Sequence, residues 1–208
     1  GDRPGQGPQL FERRRQRLWK QWVAWISNIM ALRFRGIDPD RILTWLDPWF
    51  GWLFTPPALV GAAALATSAL MLVLVNFDVF RSKLPEFHQF FAAGNWLYLA
   101  IALGVTKVIH EFGHGLSCKH YGGECHEMGV MLLVLTPCLY CDVSDSWMLP
   151  NKWKRAAIGA AGMYVEVIIA SIATWLWWYS HPGIFNQLCL DVMFVSSVST
   201  ILFNANPL

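Results

Sequence analysis

The apolar residues of this 208-residue chain are gathered into runs separated by short polar stretches. Residues 58–77 carry no charge, and residues 156–179 carry only Glu166. A run of about 20 such residues, rising about 1.5 Å per residue as a helix, matches the hydrocarbon thickness of a bilayer. The first run, entered through Pro56 and Pro57, predicts span one, and a short polar loop over residues 78–88 follows it. Span two is expected from Phe90 through His110 and on toward Lys119, span three over residues 156–179, and span four over residues 188–203, a shorter run with Asp191 and several Ser. Residues 128–135 are apolar but too few to cross as a helix, and Pro137 stops them. Residues 128–147 are therefore expected to form a re-entrant loop or hairpin shielded from lipid by protein.

Upstream of the spans, Leu18, Trp22, Trp25, Ile26 and Ile29 share one helical face over residues 18–32, with Lys20, Gln21, Ser27 and Asn28 elsewhere. A Trp-rich amphipathic helix with a basic flank suits the membrane interface, although the same pattern would serve a helix packed on a soluble partner. Trp45, Trp49 and Trp52, around Pro48, are expected to be interfacial anchors. The fold class is accordingly an all-α membrane protein. It has about four transmembrane helices, a re-entrant loop or hairpin and an N-terminal interfacial helix.

Composition strengthens this picture. The chain is 55% hydrophobic and 14% charged, against about 25% charged in an ordinary soluble domain. A soluble core could hide one long apolar run, but not several in a chain of this size. The net charge of +2 conceals an asymmetry, because residues 1–48 hold nine Lys/Arg against five acids. Directly before a membrane span, such a block reads as cytosolic anchoring on an anionic leaflet rather than as a nucleic-acid patch. With the N-terminus inside, the cytosolic segments collect thirteen Lys/Arg and the outer loops only Arg81 and Lys83. The expected location is thus the cell membrane, multi-pass, with the N-terminus and the end of span two toward the cytosol.

Five cysteines are too few for a disulfide framework, and on the cytosolic side thiols stay reduced. Cys138 and Cys141 form a C-x-x-C, but it follows Pro137 and lacks a βαβ setting, which argues against a redox motif. The spacing of Cys118, His120, Cys125 and His126 fits no common structural zinc site.

The chemistry concentrates at residues 110–114, which read H-E-x-x-H. Four residues apart on a helix, His110 and His114 share a face and can hold one metal ion, with Glu111 beside them as a base toward metal-activated water. Neutral imidazoles with one or two carboxylates favour zinc, one per chain. His and Glu at a membrane helix end are costly, which favours function over an inert, solvated terminus. Gly113 allows another backbone to approach, and Gly159, Ala160 and Gly162 would permit close helix contact in span three. Lys107 is expected to snorkel or to pair with an acid.

The H-E-x-x-H at a membrane helix end, Gly122-Gly123 after it, and the Pro-containing re-entrant stretch resemble the site-2 protease family of intramembrane zinc metallopeptidases. Residues 136–147, Gly162 through Glu166, and residues 204–208 resemble its bacterial peptide zinc metalloprotease branch, so the resemblance covers about residues 90–208. It implies His110 and His114 as metal ligands, Glu111 as general base, and a third ligand from an Asp in a D-G motif soon after Asn-Pro, which the chain does not reach. Residues 1–55 would then be a basic cytosolic or interfacial segment, and residues 56–208 a transmembrane metallopeptidase core incomplete at its C-terminus.

Candidates for the third position within the chain are Asp142 and then Glu166. Glu166 fits better as an acid that hydrogen-bonds between helices or orients a ligand. Asn204 or Asn206 is a candidate donor to the oxyanion of a cleaved peptide bond, or else simply ends the helix.

The expected activity is zinc-dependent endopeptidase cleavage within or at the membrane. Its partners would be the lipid bilayer, a peptide or membrane-protein substrate and an export system, with no nucleic acid. The rival is a metal-binding, non-proteolytic component of a peptide export or resistance assembly. A transporter is disfavoured, since no internal repeat is visible.

Overall fold

A computed structural model describes residues 31–86, 90–133 and 136–202. The chain divides into two compact units, Gly1–Gly36 with Gly129–Tyr140 and Ile37–Met128 with Cys141–Leu208. The first unit holds a three-stranded sheet of order β1-β2-β3, with β1 at Ala31–Ile37, β2 at Met128–Leu133 and β3 at Thr136–Cys141. At Gly129 a Cβ would stand 2.6 Å from Phe34 O and 2.9 Å from Gly36 N, so only glycine lets these backbones approach so closely.

This sheet corrects the all-α expectation. The expected hairpin is present, as β2 and β3 followed by a 3₁₀ turn at Ser144–Met148. β1 was not anticipated. Leu32, Arg33, Phe34 and Arg35 alternate apolar and basic residues with the two-residue period of a strand, a signal submerged when the segment is read with the helical face preceding it. Ala31 and Leu32 are strand; the rest of the expected interfacial helix lies outside the described residues.

The second unit is helical: α1 (Asp40–Phe50), a 3₁₀ turn (Gly51–Phe54), α2 (Pro56–Val75), α3 (Phe77–Lys83), α4 (Ala93–His120), α5 (Lys152–Tyr179) and α6 (Ile184–Leu202). Pro56 and Pro57 occupy the first turn of α2, where a missing N–H costs nothing. Among the residues of α2 only Ala69 is buried, while Val60, Leu70, Leu74 and Val75 are more than half exposed, an apolar surface suited to lipid. Trp45, Trp49 and Trp52 also stand exposed.

The N-cap of α5 is Asn151, whose Oδ1 accepts the Trp153 N–H at 2.9 Å. Ile158, Gly162, Glu166, Ala173 and Trp177 recur along its buried face, and the helix packs against α2, α4 and α6. Two helices among the described residues, α2 and α5, are long and apolar enough to cross a membrane. The 28-residue α4 carries Lys107, His110 and Glu111 along its length, and the apolar part of α6 is shorter.

Candidate metal centre

The motif lies near the C-terminal end of α4, a helix terminated by Gly122 at φ +93°, with the Gly123 N–H returning to Cys118 O at 2.9 Å. On the face turned to α5, a Cβ at Gly113 would meet Val165 Cγ2 at 3.1 Å and Ala161 O at 3.2 Å, so the glycine allows α5 its close approach. Phe112 packs into a core built from Leu43, Phe54, Leu116 and Ala161, which fixes the rotation of α4 beneath the motif.

That rotation presents both imidazoles to α5. His110 Nε2 and His114 Nε2 face each other at 3.1 Å. The outer nitrogens have partners of the kind that orient metal-binding histidines: His114 Nδ1 donates to the Ile158 carbonyl at 2.7 Å, and His110 Nδ1 stands 3.1 Å from Glu166 Oε1. Glu166 is fully buried and takes a second contact on the same oxygen from Lys107 Nζ at 2.8 Å, so the carboxylate is charge-compensated inside the helix pair. This is the interhelical role weighed for Glu166, and Lys107 pairs with an acid. Neither Ile158 O nor Gly162 was anticipated at the site. A backbone carbonyl leaves no mark in the sequence, and Gly162 stood out as a small residue and as part of the segment that carries the family resemblance, not as the floor beneath the histidines.

Gly162 is the floor of the pair. A Cβ there would lie 2.5 Å from His114 Nε2 and similarly close to His110 Nε2 and Cδ2. The space over the glycine is shared by the two nitrogens that point toward each other. Gly159, one turn earlier, has nothing within 4 Å of the corresponding position and plays no such part. Convergent Nε2 atoms, anchored Nδ1 atoms and a side-chain-free floor fit two histidine positions of a zinc site.

Glu111 is half-buried, its carboxylate against the backbone amide of Cys141. Asp142 is not brought to the histidines. It is exposed, and its Oδ1 accepts from the Ser144 N–H at 3.0 Å and from the Ser144 hydroxyl, closing a local turn. Among the described residues no group of three His, Cys, Asp or Glu is arranged to hold a metal ion. Asn204 and Asn206 lie outside the described residues.

The last turn of α4 is tied to α1 by an ion pair. Lys119 Nζ meets Asp40 Oδ1 at 2.8 Å and Oδ2 at 2.9 Å, and this hydrogen-bonded ammonium holds the Asp40 carboxyl below its usual range. Tyr121 and Tyr164 donate to the carbonyls of Phe54 and Leu53 at 3.0 and 2.8 Å, fastening the turn between α1 and α2 to the same region.

The chain is 21% identical over 184 residues to the Bacillus subtilis protein named "Putative peptide zinc metalloprotease protein YydH", covering 88% of this chain and 65% of that protein. It is 31% identical over 75 residues to the uncharacterized protein MJ0971 of Methanocaldococcus jannaschii, covering 36% of this chain and 20% of that one. The chain thus spans less than two thirds of the length of either relative. No solved structure matches it. Residues 98–206, just over half of the chain and including the H-E-x-x-H helix and α5, match the sequence profile of Peptidase family M50. The chain therefore belongs to peptidase family M50, the membrane-embedded metalloproteases of the site-2 protease family.

Proposed function

We propose that this chain carries the metal-binding core of a zinc-dependent endopeptidase that hydrolyses peptide bonds at or within the membrane. The observation that carries this reading is the pair of facing Nε2 atoms of His110 and His114 over Gly162, with both outer nitrogens held. Ile158 O holds the His114 Nδ1 proton and the Glu166 carboxylate stands 3.1 Å from His110 Nδ1, an arrangement that favours protons on Nδ1 and leaves the Nε2 lone pairs to bind metal. Zinc, when bound, supplies Lewis acidity that polarises the scissile carbonyl and makes water a competent nucleophile near neutral pH. Glu111 accepts the proton of the attacking water and returns it to the leaving amine. Lys107 balances the Glu166 charge so that the His110 ring keeps its orientation.

The substrate is a transmembrane segment or an exported peptide, taken as an extended strand because a helix hides its carbonyls in its own hydrogen bonds. Backbone pairing along that extended strand is the form of recognition that fits. In the bilayer α2, α4, α5 and α6 are the four spans, with the N-terminus and the histidines toward the cytosol, as the Lys/Arg distribution requires. The third ligand comes from outside the described residues. An assembly in which no third ligand joins the pair would instead favour the non-proteolytic reading, a metal-binding part of a peptide export system.

The test is hydrolysis. Full-length protein in detergent, supplied with zinc and a panel of apolar and unstructured peptides, is expected to cleave at least one, while Glu111→Gln cleaves none at equal zinc content. Equal cleavage by Glu111→Gln would remove the proposed base, and a wild-type protein that binds zinc without cleaving any peptide would favour the non-proteolytic role.

A further inference from the structure

Outside the histidine pair, the helical unit brings together two cysteines that are far apart in the chain. Cys125 Sγ lies 3.1 Å from Cys141 Sγ, and both thiols are free. The backbones beside them are already joined, since the Asp142 N–H donates to Glu127 O at 2.8 Å. An S–S bond of about 2.0 Å therefore requires the sulfurs to close by only about 1 Å. Cys125 is buried, whereas Cys141 is partly exposed. Cys141 also borders the motif helix: its Sγ is 3.2 Å from where a Cβ on Gly115 would stand, and its backbone amide lies against the Glu111 carboxylate.

We propose that Cys125 and Cys141 form a dithiol site that reacts with low-molecular-weight disulfides such as glutathione disulfide and closes to an intramolecular disulfide beside Glu111. The partly exposed Cys141 thiolate attacks one sulfur of the external disulfide, giving a mixed disulfide and releasing one thiol. Cys125, in reach behind it, attacks the Cys141 sulfur and expels the second thiol. Two protein thiols are oxidised, and one disulfide is reduced to two thiols. In the resting pair Cys141 donates the S–H···S contact, which holds its own thiol above the usual range and Cys125 below it. The shared proton therefore passes to Cys125 as Cys141 attacks, and then to the released thiolate before Cys125 attacks in turn.

The pair differs from the C-x-x-C of Cys138 and Cys141, and Cys118, also buried, points its Sγ toward the Glu124 carbonyl at 3.8 Å. The closed bond would fasten the segment after α4 to the residue that lies against Glu111. The inference rests on thiol geometry and does not depend on the protease reading.

Full-length reduced protein in detergent is treated with glutathione disulfide, then denatured, alkylated with N-ethylmaleimide and weighed by intact-mass spectrometry. The expected result is the loss of two alkylatable thiols, restored by dithiothreitol, in wild type and equally in Cys138→Ser. Cys125→Ser is expected to accumulate a glutathione adduct at Cys141 instead, and Cys141→Ser to form no internal bond. A Cys138–Cys141 or Cys118–Cys125 bond, a stable glutathione adduct without an internal bond in wild type, or no loss of thiols would overturn the proposal. The wild-type measurement stands even if a variant fails to fold.

Discussion

Gly162→Ala changes one hydrogen to a methyl and leaves every proposed ligand in place. The added Cβ would stand 2.5 Å from His114 Nε2 and at similar range from two atoms of His110, about 1 Å inside ordinary contact distance. One or both rings must swing away from α5. His114 can do so only by stretching its 2.7 Å bond to Ile158 O, and His110 by leaving Glu166. Zinc tolerates about 0.2 Å of error in its nitrogen distances, so a displacement several times larger should weaken binding by at least the 10–100-fold typical of a lost outer-shell partner.

Folding should survive. Overpacking costs about 1–3 kcal/mol, while replacing a mid-helix glycine by alanine returns about 0.5–1 kcal/mol. Gly159→Ala is the matched control, because the same change one turn earlier meets nothing within 4 Å. Zinc affinity is measured by chelator competition on both variants and wild type, beside their melting temperatures. The account predicts wild-type affinity in Gly159→Ala and a loss of at least about tenfold in Gly162→Ala. Wild-type zinc affinity in a folded Gly162→Ala protein would refute the placement of the metal over Gly162.

Glu166→Gln keeps the shape of the side chain but removes the charge facing His110 and Lys107, so zinc affinity should fall about 10–100-fold; isothermal titration would show it. Asp40→Asn removes the partner of Lys119 and should lower stability at neutral pH by up to about 1 kcal/mol. Because the Asp40 carboxyl is held below its ordinary value of 3.8, this stabilisation is full above that pH and fades as pH falls through the lower, folded-state value. Melting curves of wild type and variant should therefore differ at pH 7 and converge in acid. Gly122→Ala forces a methyl into the left-handed region at φ +93° and should destabilise the end of α4 by about 1–2 kcal/mol, visible in thermal unfolding.

The H-E-x-x-H motif was legible because four-residue spacing on a helix dictates a shared face, and the facing Nε2 atoms follow from it. Glu166 was legible as an acid in an apolar run that bonds between helices, but its partners were not, since only the packing of α4 on α5 decides which nitrogen it meets. Gly162 shows the same limit: composition marks a small residue, while the clash that makes it necessary depends on helix rotation. The Cys125–Cys141 contact was invisible because it joins segments separated by the β2–β3 hairpin. β1 was misread because a two-residue alternation followed directly on a helical pattern. Asp142 was a candidate from its place in the loop beside the motif; it is exposed and closes a local turn with Ser144.

The central claim is that His110 and His114 hold one zinc while Glu111 acts on water without binding the metal. Zinc per chain, measured on detergent-purified full-length protein after metal repletion, tests it most directly. The account predicts about one zinc in wild type and in Glu111→Gln, and a large loss in His110→Ala and His114→Ala. A wild-type protein without zinc, or a folded His110→Ala protein that retains it, would contradict the account.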